Sequence, residues 1–115
     1  MILAAVDDLL FASKISTAAR QLGVDVVFVK SPDEVLSHAR TVRPELVIFD
    51  LNSQRTDPLA TIKALKATSG LADVRTIGFV SHVQTELIDS ARQAGVDEVL
   101  ARSAFSARLG EILRR

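Results

Sequence analysis

Apolar residues occur along this chain in two alternating kinds of segment. Ile2 to Val6, Val24 to Val29, Leu46 to Phe49, Thr76 to Val80 and Val96 to Ala101 are short blocks rich in bulky or β-branched residues, as strands require. Between the blocks the apolar positions take helical spacing. They are Ile15, Ala18, Ala19 and Leu22, then Val35, Ala39 and Val42, then Leu59, Ile62 and Leu65, then Leu87, Ile88, Ala91 and Ala94, and finally Phe105, Leu109, Ile112 and Leu113. The pattern is strand then helix, repeated five times. Its punctuation agrees: Gly23 and Gly95 follow helical runs, and Thr68-Ser69-Gly70 closes a third. Ser31-Pro32-Asp33-Glu34 is a helix start with Ser31 as N-cap and Glu34 closing a capping box, Asp57-Pro58 opens the next helix by the same device, and Pro44 bars continuation into the third strand.

Leu46-Val47-Ile48-Phe49 does not alternate, so it reads as a strand covered on both faces, the central strand of a parallel sheet. Strands joined by right-handed helical crossovers give a doubly wound α/β sandwich. The expected architecture is a five-stranded parallel sheet, order 2-1-3-4-5, flanked by five helices. Its topological switch point falls between strands one and three.

Composition narrows the function. The length of 115 residues suits a single domain with one hydrophobic core, and the absence of cysteine removes disulfides, thiolate catalysis and thiolate-bound metal. Lys plus Arg equals Asp plus Glu at 14 each, so the overall charge gives no argument for nucleic acid or an anionic membrane as partner. Met1 to Leu10 lacks a basic leader and meets Asp7 and Asp8 too early for a signal peptide, and no stretch approaches a membrane span. The default expectation is a cytoplasmic location.

The chemistry gathers where the central strand ends. Asp50 closes it, and the 2-1-3-4-5 order brings Asp7 and Asp8 from the end of the first strand beside it. Three carboxylates together repel one another, so one is protonated or a cation neutralises them. Hard oxygen ligands with free water positions suit Mg²⁺. An aspartate beside such a cation can attack phosphorus, because the metal offsets the charge repelling an incoming phosphoryl group. Taken singly, Asp8 is equally an N-cap for the first helix and Asp50 a loop residue; the combination carries the reading.

These residues give the chain a resemblance to the receiver domain of two-component response regulators, over essentially its whole length. The matches are Ala5-Val6-Asp7-Asp8, Leu46-Val47-Ile48-Phe49-Asp50-Leu51 and Ala94-Gly95-Val96-Asp97-Glu98-Val99-Leu100. The resemblance implies a flavodoxin-like fold in which Asp50 accepts phosphate from a histidine kinase or phosphotransfer protein. Asp7, Asp8, Asp50 and the backbone carbonyl of Asn52 would hold Mg²⁺. The partner surface would be the face of helix four, strand five and helix five, with Gln84, Leu87, Val99, Phe105 and Arg108, and a homodimer is a further possibility on the same analogy.

The departures are equally specific. Val80 stands where the family has a threonine or serine, and Ser81 follows it on the opposite side of the strand. Arg102 stands at the lysine position, Ser103 at the proline after it, Val99 at the switch aromatic and Gln54 at the turn proline. Arg keeps the charge but is longer and planar. The pocket is kept and its readers are changed, which leaves two readings: a phosphorylatable receiver with degenerate switch residues, and a pseudo-receiver acting as a phosphorylation-independent interaction module.

Several residues carry open alternatives. Arg102 either pairs with Asp50 in the resting state or points outward from a capped helix start, for which Ser103 is an N-cap candidate. His82 is a solvent-exposed loop residue or a pH-sensitive group near the site, and His38 receives no role. Arg108, Arg114 and Arg115 are expected on a solvated face, the last two favourably near a helix C-terminus. A flavodoxin-like flavin binder is disfavoured because Asp7-Asp8 would repel a flavin phosphate and no Trp or Tyr is available to stack on the ring. A haloacid-dehalogenase-type phosphatase needs its two aspartates separated by one residue, whereas Asp7 and Asp8 are adjacent. No output domain follows in this sequence, which fits a single-domain regulator or a segment of a longer chain.

Overall fold

A computed structural model describes residues 1–81 and 84–114. Five parallel strands, β1 (Ile2–Ala5), β2 (Val26–Phe28), β3 (Leu46–Asp50), β4 (Arg75–Val80) and β5 (Glu98–Ala101), lie in the order β2-β1-β3-β4-β5. The expected topology is therefore the observed one. Helices α1 (Leu9–Leu22), α2 (Pro32–Val42), α3 (Pro58–Ala67) and α4 (Thr85–Ala94) form the successive crossovers. The last expected helix is divided into α5 (Arg102–Ala107) and α6 (Leu109–Arg114), so the described residues contain six helices rather than five. The break falls at Arg108, whose ψ of 10° leaves the helical range.

Strand alternation sorts the core into two layers. Leu3, Ala5, Val47, Phe49 and Val80 face α2, α3 and α4, where they meet Val35, Ala39, Ile62, Leu65, Ala91 and Ala94. Ile2, Ala4, Ile48, Ile77 and Phe79 face the other way and meet Phe11, Ile15 and Ala19 of α1 with Phe105, Leu109, Ile112 and Leu113. All five residues of β3 are buried, as a central strand requires. The rings of Phe11, Phe79 and Phe105 stack in series, with centroids 4.9 and 4.7 Å apart, and tie α1, β4 and α5 together.

Local signals act largely as their chemistry dictates. Gly23 and Gly95 end α1 and α4 with φ of 69° and 111°. Ser31 caps α2, its hydroxyl accepting from the Glu34 amide at 3.2 Å. Asp57 departs from expectation: it precedes Pro58 at the start of α3, but its backbone is left-handed (φ 42°, ψ 65°) and its side chain makes no capping bond. Ser103 also fails as a cap, because it lies inside α5 and Ala101 takes the N-cap position. Val42 is exposed at the end of α2, where the helix leaves the core.

Gly78, in the middle of β4, sits under Leu51. A Cβ at position 78 would lie 2.9 Å from Leu51 Cγ, so the residue after Asp50 occupies a notch that only glycine leaves open. At the opposite edge of the sheet Asp97 Oδ2 accepts from Thr76 N (2.8 Å), Thr76 Oγ1 (3.0 Å) and Lys66 Nζ (3.1 Å), fastening the end of α3 to β4 and the β5 entry.

Candidate functional site

The site lies at the carboxyl edge of the sheet, at the switch point between β1 and β3. Ala5 is in register with Phe49, so the residues that leave these strands, Asp7-Asp8 and Asp50, emerge side by side. Asp50 is 3% exposed and accepts a hydrogen bond at Oδ1 from the Asn52 amide at 3.0 Å. Its pKa is raised, by burial first and further by the charges of Asp7 and Asp8, against the opposing effects of the Asn52 amide and the Arg102 guanidinium. The three carboxylates therefore feel one another, as the topology predicts.

Each neighbour is also engaged elsewhere. Asp8 Oδ1 caps α1, accepting from Leu10 N at 2.9 Å and Phe11 N at 3.2 Å, so its capping role and its place at the site coexist. Asp8 Oδ2 pairs with Arg102 at 3.4 Å. Asp7 Oδ2 accepts from the buried Ser53 hydroxyl at 3.1 Å, and Ser53 Oγ also receives the Thr56 amide at 3.3 Å. Among the described residues no group of three or more His, Asp or Glu side chains forms a ready-made metal cage.

Arg102 has its expected location but a different partner. Its ion pair is with Asp8 and not Asp50, because its guanidinium sits over the rings of Phe11 (4.6 Å from the centroid) and Phe79 (5.7 Å) on the α1 side of the sheet. Asp50 feels its charge at longer range. Val80 is buried in the α2–α4 layer, whereas the exposed Ser81 lines a groove with Phe11, Lys14, Arg102, Ser103, Ser106 and Ala107. The two side chains thus diverge as strand alternation requires.

The expected partner face is smaller than its sequence suggests. Phe105 is fully buried in the α1 layer and presents nothing to a partner. Leu87 and Val99 are half-buried against the core, and Arg108 is held by Glu98 at 3.1 Å and Glu111 at 3.6 Å rather than standing free in solvent. His38 Nδ1 contacts the Glu34 carbonyl within its own helix at 3.0 Å. Arg114 stands in the last turn of α6 as expected, while His82 and Arg115 lie outside the described residues.

Sequence reasoning missed Ser53 and the side-chain contacts of Asn52, and gave Gln84 a place on a partner face without its link to the site. Asn52 Oδ1 accepts from Ser81 N and Asn52 Nδ2 donates to Gln84 Oε1, both at 2.8 Å. These contacts join residues about thirty to fifty positions apart, and the one hint in the sequence is the unbroken polar stretch after Leu51.

No sequence-family model matches the chain, and a search of curated protein sequences finds no match. Solved structures match its fold throughout. The chain is similar to the receiver domain of the sensor histidine kinase PA1611 from Pseudomonas aeruginosa, solved with magnesium coordinated in the active-site cleft. The TM-score is 0.85 at 23% identity, covering 99% of this chain and 93% of that one. It is similar to the chemotaxis response regulator CheY4 of Vibrio cholerae, with TM-score 0.84, 19% identity, and 99% and 95% of the two chains covered. It is also similar to the phosphorylated cyanobacterial phytochrome response regulator RcpA, with TM-score 0.82, 20% identity, and 98% and 87% covered. The chain has the fold of receiver domains. No helix among the described residues is long and apolar enough to cross a membrane.

Proposed function

We propose that residues 1 to 115 form one receiver-type signalling domain in which Asp50 accepts a phosphoryl group from a histidine kinase or phosphotransfer protein. The domain acts in the cytoplasm through protein contact, without nucleic acid or membrane and without catalytic turnover of its own. The observation that supports this best is the placement of Asp50: a buried carboxylate ending the central strand, close enough to Asp7 and Asp8 for their charges to raise its pKa. In the transfer, an Asp50 oxygen forms the bond to phosphorus as the phosphorus–nitrogen bond of a phosphohistidine breaks. The electron pair of that bond returns to the donor imidazole.

The donor set fits Mg²⁺. This ion is commonly held by one or two carboxylates and keeps several waters, so a cage of three acidic side chains is not required. Asp7, Asp50 and the Asn52 carbonyl would hold it, with Asp8 joining when Arg102 releases it. When bound, the ion would offset the negative charge that an incoming phosphoryl group meets. The chain's own residues supply the rest. The Asn52 amide orients Asp50 Oδ1, Ser53 fixes Asp7, and the Asp8 cap holds the start of α1 against the site.

Two observations favour the second reading, a pseudo-receiver whose contacts do not depend on phosphate. Asp8 is already occupied on both oxygens, and Val80 offers no hydroxyl near the phosphoacceptor. Incubation with Mg²⁺ and a small-molecule phosphodonor separates the two. The receiver reading expects a mass gain of one phosphoryl group that disappears in Asp50→Asn. Absence of that gain, with no amide shifts on adding Mg²⁺ and beryllofluoride, leaves the pseudo-receiver.

The remaining face of α4, β5 and α5 available to a partner, or to a second copy of the chain, comprises Gln84, Leu87, Val99 and Arg108. A partner binding there would be detected by amide shifts confined to those elements.

A further inference from the structure

Asn52 is hydrogen-bonded both to Asp50 and to the start of α4. Its main-chain N–H donates to Asp50 Oδ1 at 3.0 Å. Its side-chain oxygen accepts from Ser81 N, the first residue beyond β4, and its side-chain nitrogen donates to Gln84 Oε1, each at 2.8 Å. Gln84 is the N-cap of α4: its carbonyl accepts from Ile88 N at 2.9 Å, and its side chain makes no capping bond of its own. The glutamine amide bonds to Asn52 instead of capping the helix.

Among the described residues, the side chains of Val80, Val99 and Leu51 near this route are apolar. Val80 is buried in the core and Val99 is packed against it, so neither can exchange one hydrogen-bond partner for another. Leu51 is fixed in its notch over Gly78. A change at Asp50 Oδ1, whether loss of the carboxylate or its capture by another group, alters the acceptor of the Asn52 amide and hence the orientation of that peptide. The side chain on the same residue holds Ser81 and Gln84, so the reorientation passes to both.

We propose that Asn52 is a positioning residue that couples the state of Asp50 to the first turn of α4 through its side-chain amide. The chemistry of asparagine is suited to this, because one short planar group supplies the acceptor for Ser81 and the donor for Gln84 together. Aspartate at this position would keep the acceptor and lose the donor; alanine would lose both. The coupling deepens the receiver reading by naming the route out of the site. It rests on that reading only for its purpose, since the hydrogen bonds exist whether or not Asp50 is ever phosphorylated.

The test is a coupling measurement on the intact chain. Amide chemical shifts of Ser81, Gln84, Leu87 and Ile88 are recorded for the native chain, Asp50→Ala, Asn52→Ala and the double variant, with Asp50→Asn and Asn52→Asp as second variants should either alanine impair folding. Asp50→Ala is expected to displace these amides in the native background, and by less than one third as much when Asn52 is already Ala. A purely structural Asn52 would shift the amides itself but leave the response to Asp50→Ala unchanged. Equal displacement in both backgrounds, or no displacement in the native one, overturns the proposal. Failure of Mg²⁺ and beryllofluoride to bind would instead sink the phosphoacceptor reading and leave this coupling intact.

Discussion

Arg102 pairs with Asp8 at 3.4 Å while lying across the rings of Phe11 and Phe79, so one oxygen of the acidic pocket is neutralised by a cation belonging to the chain itself. A divalent ion drawing on Asp8 must compete with that guanidinium. Arg102→Met keeps much of the packing and removes the charge. It is expected to tighten Mg²⁺ binding several-fold by isothermal titration while costing about 1 kcal/mol of stability, the scale of a partly exposed ion pair with its ring contact. Unchanged or weaker Mg²⁺ binding would show that Arg102 and the metal do not share Asp8.

Asp50 is buried with its pKa raised, principally by desolvation. A carboxyl whose folded pKa lies above its unfolded value contributes its full stability below the unfolded pKa and loses it as pH rises through the folded one. Near neutral pH and without divalent ions the burial of the Asp50 carboxyl therefore works against the fold. Asp50→Asn, which keeps an oxygen for the Asn52 amide, should stabilise the domain there. That advantage should shrink in denaturant titrations carried out below about pH 4. A destabilised Asp50→Asn at pH 7 would contradict the assignment.

Asp97 titrates in the opposite sense. Burial alone would raise its pKa, but the hydrogen bonds from Thr76 N, Lys66 Nζ and Thr76 Oγ1, with the Lys66 charge, outweigh it and hold the group below the usual carboxylate range. Its contribution is present above the unfolded value of about 4 and is lost as pH falls through the lower folded value. Asp97→Ala should cost about 1 kcal/mol at pH 7, by loss of charge-assisted bonds screened at this half-exposed side chain, and should flatten the acid limb of the stability profile. A profile parallel to that of the native chain would argue that Asp97 is not the group titrating.

Asp57 holds a left-handed backbone without a compensating cap. Asp57→Gly should be neutral or stabilising by up to about 1 kcal/mol, whereas the β-branched Asp57→Val should lose about 1–2 kcal/mol, since left-handed backbone disfavours a branched Cβ. Thermal melts of the pair check this; equal melting temperatures would show that the turn relaxes.

The topology was legible because Leu46 to Phe49 has no polar interruption and because proline and glycine mark the helix ends. The positions of Asp7, Asp8 and Asp50 followed from strand order alone. What was not legible was side-chain direction. Arg102 chose Asp8 because two phenylalanine rings steer its guanidinium, and those rings converge only in three dimensions. The family resemblance put Phe105 on a partner face, yet stacking on Phe79 draws it wholly inside. The helix break at Arg108 has no proline or glycine immediately before it, and Gly110 follows only after the second helix has begun. Ser53 and Gln84 act through partners on other loops, which no local pattern encodes.

Gly78 makes the height of the loop that follows β3 a property of a neighbouring strand. Leu51 rests in the space its missing side chain leaves, so the depth at which Asp50 and Asn52 are presented is set from beneath. A substitution there would tune the site without altering any residue that touches it. Position 78 is thus a point where mutation can change the geometry around Asp50 while every recognisable site residue stays the same.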